Sequence, residues 1–479
     1  MQNQIYFLNQ NLTLLLIIII SLLFTIIGIL YSRKYQNLSN YLTAGRSVQT
    51  FPLTTSLVAS ALGAWVLFGP ASAATWGGIG SVIGYSLGTG FPMIALYFLG
   101  TKIRKEFSNG NTLTEFIYFK YGKNIFKLIL VLDIFYMFIF LCAEITAVSM
   151  LVEYISGTPL WLTSFLVIVT TLMYTLYGGL RASVLTDSLQ FFIVIILLII
   201  SAYYFFYLNF DFFSFELVKK KSNHLISSQY IPNYTAGFTF FIAVAATNLF
   251  HQGNWQRVYA AKNNEVLKKS LILAFIVIIP IVYFMGFSGL VAVSVNSKVI
   301  PDLGFFSLLL KDQTEFLSLV IIILGVSLTI STIDTLVNAI SSLIVVDGKA
   351  TFNLKHNINY LRFSKKFIIA LSIIAFIIAS KGFSVLYLFL LADLFCCAFV
   401  LTVFYSFYNK KINEKTAYIS IIVGLICGFL LFPTPDFSKS LLVGIIFPLD
   451  LFPVFVVQSL LFLSFLIATF IPVAIWKLR

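Results

Sequence analysis

Long apolar runs separated by short polar stretches follow one another along the whole chain. Residues 12–30 and 191–206 approach the roughly 20 residues that an α-helix needs to cross a bilayer core. The runs predict thirteen helices, at about 11–31, 51–77, 80–100, 124–155, 160–178, 185–209, 234–253, 270–292, 316–346, 366–380, 384–408, 417–432 and 453–476. Residues 439–448 read as a short additional or re-entrant piece. The fold class that follows is an all-α polytopic membrane protein. The segment before the first run carries no positive charge, and no clean small-residue cleavage site comes after it. That run is expected to be a retained span.

Polar residues inside the runs are the candidates for chemistry. Helix two contains Ala59-Ser60-Ala61-Leu62-Gly63-Ala64-Trp65, then Gly69, Pro70, Gly77 and Gly78, with Thr54, Thr55 and Ser56 beside them. Glycine weakens a helix and leaves carbonyls free of their amide partners. In lipid those carbonyls need protein, water or a ligand, and discontinuous helices are a recurring way to build ion and solute sites. Tight packing through small residues accounts for the same composition. Helix nine reads Gly325-Val326-Ser327-Leu328-Thr329-Ile330-Ser331-Thr332-Ile333-Asp334-Thr335, followed by Asn338, Ser341 and Ser342. Its polar residues recur at three- and four-residue spacing, so one face is polar. Neutral hydroxyls and carbonyls suit a hard monovalent cation; a solvated cavity lining is the plainer reading. Asp334 reads as an ion-site candidate, an internal hydrogen-bond acceptor or a member of a proton route.

Asp133 and Glu144 lie roughly on one face of helix four, and Asp393 lies in helix eleven beside Cys396 and Cys397. Carboxylates are costly in lipid and default to functional candidates, against the alternative of structural pairing between helices. Residues 174–182, with Thr186, Asp187 and Gln190, predict a tight turn between helices five and six. Asp187 there caps the following helix, locks Arg181 or touches an ion leaving inward. His251-Gln252-Gly253-Asn254-Trp255-Gln256-Arg257 is expected at the cytoplasmic end of helix seven, as a gate or as an interfacial belt. His251 has no second ligand at metal spacing, which argues against zinc.

Composition narrows the class. The chain is 59% apolar and 10% charged, against about 25% charge in ordinary soluble domains. Of its 31 Lys and Arg, 24 fall on the connections after odd-numbered helices and their flanks, Arg257, Lys355, Lys410, Lys411 and Arg479 among them. The positive-inside rule then puts the N-terminus outside and the C-terminus inside. The net charge of +13 is thus a topology signal, and its scatter over separate loops argues against nucleic acid. No P-loop or nucleotide-binding domain is legible, so an ion gradient is the natural energy source. The four cysteines lie in apolar segments, with no disulfide or metal spacing. No reacting constellation suggests an enzyme, and no filter repeat suggests a channel. Secondary transport is the leading class.

The chain resembles the sodium:solute symporter family. Four stretches carry the resemblance: Ala44-Gly45-Arg46-Ser47 leading into residues 59–65; Tyr177-Gly178-Gly179-Leu180-Arg181-Ala182 with Thr186, Asp187 and Gln190; Gln256-Arg257 followed by Ala260-Ala261-Lys262; and Ser331-Thr332-Ile333-Asp334. The resemblance implies inverted five-helix repeats, here 51–209 and 234–408, with peripheral helices at 11–31 and 417–476. It implies a sodium site made by the carbonyls of Ala59, Leu62 and Leu328 and the hydroxyls of Ser331 and Thr332, with Asp187 on the inward ion route. It also places the solute between broken helices two and seven, where Gly63, Trp65, Glu144 and Gln252 are candidates for the pocket and inner gate. Asp393 is carried as a further candidate. An acid found in the proline-transporting branch is Ala61 here, which argues against proline. The expectation is a multi-pass monomer of the inner (cytoplasmic) membrane of bacterial type, moving a small polar organic solute with Na+. The alternatives are a proton-coupled or sodium-independent carrier, or a non-transporting solute sensor.

Overall fold

In lipid each helix must satisfy its own backbone, so a chain this apolar folds as helices wherever its runs are long. The computed structural model describes residues 6–35, 37–208, 215–310, 314–352, 359–405, 413–446 and 454–477. Among them, nine helices are long and apolar enough to cross a bilayer. In chain order the helices begin with α1 (Gln10–Ser32), α2 (Leu38–Thr43), α3 (Thr50–Ala61), α4 (Gly69–Glu106), α5 (Leu113–Tyr121) and α6 (Lys123–Ser156). Then come α7 (Leu160–Leu208), α8 (Phe215–Lys221), α9 (Ile231–Phe250), α10 (Gln252–Ala260), α11 (Asn264–Val295) and α12 (Gly304–Leu309). The last are α13 (Glu315–Phe352), α14 (Tyr360–Ala379), α15 (Val385–Tyr405), α16 (Glu414–Leu431), α17 (Leu441–Ile446) and α18 (Val454–Lys477).

Single glycines turn the chain where two runs meet. Gly78 within α4 has φ 61° and Gly179 within α7 has φ 60°. Both values lie in the left-handed region that favours glycine. A Cβ on Gly179 would sit 2.5 Å from the Tyr41 ring. The tight turn between helices five and six is therefore one residue wide, and the second half of α7 starts earlier than the expected residue 185. The most extensive packing joins α4 to α9 and α11, and α13 to α7. Small residues allow the first of these: a Cβ on Gly84 would lie 2.0 Å from the Gly237 carbonyl oxygen.

Helix seven is broken, as the resemblance implies, at His251. Its second piece differs from expectation, because residues 252–260 continue as α10 inside the protein and not at the cytoplasmic edge. His251, Trp255 and Arg257 are buried, so they form no interfacial belt, and Arg257 is not a loop charge. An arginine is tolerated there because Asp187 lies 2.7 Å away. Of the 439–448 piece, α17 is a short helix and Pro448 lies outside the described residues. So do Lys355, Lys410, Lys411 and Arg479, four of the bases used for orientation.

Candidate functional site

Two breaks create the centre of the molecule. α3 ends at Ala61, and Leu62 (φ −103°, ψ 87°) leaves the helix. A short 3-10 turn, Ala64–Leu67, precedes α4. The last carbonyls of α3, those of Ala59 and Leu62 at their edge, lose their helical amide partners. α13 packs against α3 and against the 3-10 turn. Leu328, Ser331 and Thr332 lie on that buried stretch, where the Thr332 hydroxyl donates to the Leu328 carbonyl (3.2 Å).

Ser331 donates to Asp187 Oδ1 at 2.6 Å. The other carboxylate oxygen of Asp187 accepts from Ser56 (2.5 Å) and from the Arg257 guanidinium (2.7 Å). Arg257 also donates to Ser56 (2.7 Å), the Gly253 carbonyl (3.0 Å) and Thr335 (3.0 Å). One carboxylate thus ties α3, α7, α10 and α13 together. Its charge is matched by Arg257, and Arg181 instead holds the Ala44 carbonyl and Ser47. Asp334 is a hydrogen-bond acceptor in this structure: Ser183 (2.7 Å) and Tyr174 (2.8 Å) donate to it from the two halves of α7.

Glu144 of α6 reaches the first break and accepts from the amides of Ala64 (2.9 Å) and Trp65 (3.5 Å). Gly63 leaves room for it, since a Cβ there would lie 2.1 Å from Glu144 Oε1. Trp65 lines a small cavity with Tyr85, Phe140, Val244, Asn248, Phe389 and Asp393. Its volume is ≈ 10 Å³, room for about one water. Gln252 lies elsewhere, bonded to the Asn111 carbonyl, the Leu113 amide and Ser342. Arg46 holds the carbonyls of Ser108 and Gly110, and Gln256 that of Leu42.

A larger space of ≈ 410 Å³, the vestibule, is lined by Ser72, Trp76, Asp302, Ser384, Asp436 and Gln458 among others. Phe240 touches a ring from each lining, stacked on Tyr85 (4.9 Å) and tilted against Trp76 (5.7 Å). Hydrogen bonds from Thr434 and Ser438 pull Asp436 down to about 2. Burial raises Asp302, against hydrogen bonds from Ser72 and Ser384. Sequence reasoning passed over Arg257 because its charge read as a loop charge. Of the cavity rings it named Trp65 and passed over Tyr85, Phe140 and Phe389, because 51 phenylalanines and 24 tyrosines offer no contrast among themselves.

The profile of the sodium:solute symporter family matches residues 41–424. The chain belongs to that family. It is a sodium-coupled secondary transporter of a small solute, working by alternating access, and not an enzyme. It is 25% identical over 382 residues to a spermidine transporter of Candida albicans, covering 79% of this chain and 71% of that protein. It is 28% identical over 153 residues to sodium/glucose cotransporter 4 of Mus musculus, covering 31% of this chain but only 22% of that protein. Among solved structures, a Na+-coupled sialic acid symporter, substrate-bound and outward-open, matches 97% of this chain and 96% of its own at TM-score 0.70 and 14% identity. That likeness places the helices in an inverted-repeat transporter architecture.

Proposed function

We propose that sodium binds between the end of α3 and α13, held by the carbonyls of Ala59, Leu62 and Leu328 and the hydroxyls of Ser331 and Thr332. The observation that carries this reading is the hydrogen bond from Ser331 to Asp187, whose charge Arg257 already balances. A hydroxyl that gives its proton to a carboxylate turns lone pairs toward the ion and gains negative character. The ion meets strong oxygen dipoles without a full opposing charge. It binds firmly enough to organise the site and weakly enough to leave. Asp187 is then the group an ion meets on its way inward.

Counted with the turns at Gly78 and Gly179 and the breaks after Ala61 and at His251, the helices make thirteen crossings. The crowding of basic residues at one end supports an external N-terminus and an internal C-terminus. The two repeats span 51–209 and 234–408. We place the chain in the inner membrane as a monomer carrying a small polar organic solute, with Gly63, Trp65, Glu144 and Asp393 around the solute and Gln252 at the inner gate. One positive charge moving inward down about 100 mV contributes roughly 2.3 kcal/mol, about a fiftyfold solute gradient. The test is uptake into proteoliposomes against sodium concentration, with Ser331→Ala combined with Thr332→Ala. Sodium dependence is expected to weaken strongly. Unchanged dependence sinks the assignment.

A further inference from the structure

We propose that the transported solute is an organic ammonium ion, its charge held by Asp393 and its alkyl groups by the surrounding rings. This rests on the symport reading above and names the chemical class of its solute. Asp393 is 4% exposed and lines the small cavity beside Trp65. Its hydrogen-bond donor is a neutral one, the Thr247 hydroxyl, at 2.5 Å. Among the described residues the ion pairs are Arg257–Asp187 and Lys269–Glu265, so Asp393 has no cation beside it. A buried carboxylate is expensive to keep unless a cation meets it. Asp187, equally buried, has its arginine; Asp393 has an empty space instead.

The walls of that space suit a cation in their chemistry, and at ≈ 10 Å³ the space must widen to admit one. Trp65 stacks with Tyr85 at 5.6 Å and meets Phe389 edge-on at 6.1 Å, and Phe389 meets Phe140 edge-on at 4.6 Å. Four rings and one carboxylate make the surroundings in which alkylammonium groups are recognised, by ring faces and by charge together. An anion would meet the carboxylate unfavourably. A sugar would leave its hydroxyls facing rings, with Asn248 and Asp393 as the polar lining residues.

The approach agrees. Among the described residues the vestibule is lined by two carboxylates, Asp302 and Asp436, and by no lysine or arginine, although the chain carries a net charge of +13. Acid confined to one mouth raises the local concentration of cations there. Tyr85, a wall of the cavity, lies within electrostatic reach of both Asp302 and Asp393. Trp76, Phe240 and Tyr85 offer a continuous aromatic path between them.

The test is a thermal-shift titration of the purified full-length chain with spermidine, tetramethylammonium, glucose, urea and sialic acid, each in sodium chloride and in potassium chloride. At least one of the two ammonium probes is expected to stabilise the protein, more in sodium, and the other three are not. No shift with either ammonium probe overturns the proposal. An ammonium shift of equal size in potassium keeps the ammonium site and removes the sodium coupling. A sodium-dependent shift with a neutral solute alone does the reverse. Asp393→Asn is expected to weaken ammonium affinity ~10-fold or more, and Asp393→Glu less. Trp65→Leu is expected to weaken it ~3-fold or more. Unchanged ammonium affinity in Asp393→Asn, with a wild-type melting temperature in sodium chloride alone, overturns the placement.

Discussion

The two helix breaks at the centre of this protein are repaired in different ways. At the second, between α9 and α10, the local chain supplies nearly everything. His251 Nδ1 accepts from the Gly253 amide (3.1 Å), while Asn254 and Trp255 donate back to the carbonyls of Asn248 (2.9 Å) and Leu249 (2.7 Å). At the first, between α3 and α4, the exposed amides of Ala64 and Trp65 are met by Glu144, 80 and 79 residues away on α6. A self-stitched break holds its shape wherever its helix moves. A break capped from another helix holds its shape only while the two helices stay together. The first break is therefore the one through which movement of α6 is felt at the proposed sodium site.

The largest effect comes from the group that fastens the second break to the first. Arg257→Ala leaves Asp187 buried without its cation, and a loss of about 3–5 kcal/mol is expected in denaturation of the purified protein. Next is Glu144→Ala, which strands two buried amides at about 1–3 kcal/mol each. Hydrogen exchange should rise at residues 63–67 and stay unchanged at 252–256; equal rises at both would erase the distinction. Gly63→Ala pushes the same carboxylate away, so combined with Glu144→Ala its cost should be far from additive. His251→Ala removes one local cap of α10, worth about 0.5–2 kcal/mol, and should leave exchange at the first break as it was. The smallest effects lie away from both breaks. Glu265→Gln breaks the exposed pair with Lys269 and should not move the melting temperature. Asp436 is held at about 2, below its ordinary value, so its contribution to stability is present at neutral pH and is lost progressively as pH falls from the ordinary carboxylate range through about 2. Carboxyl titration by NMR should show no change in its charge between about pH 8 and pH 5, and Thr434→Val should bring it back toward the ordinary value.

Much of this was legible along the chain because lipid enforces simple rules. Apolar runs near 20 residues must be helices, and Gly78 and Gly179 turn where runs meet because other residues avoid positive φ. The weak point at 59–65 and the polar face of helix nine were visible as departures from apolar patterning. Arg257 was misread for a physical reason: a lone arginine after an apolar run looks like a boundary, and only a carboxylate from another helix makes it an interior residue.

By itself, then, the sequence determined the helices, the weak point at 59–65 and the family to which they belong, since these depend on local backbone preference and on burial in lipid. It did not determine which break depends on another helix, which of the buried acids has a cation, or that Asp393 faces four rings. Those are contacts between residues far apart in the chain, and only the packing of α3, α6, α7, α9, α10, α13 and α15 brings them within reach of one another.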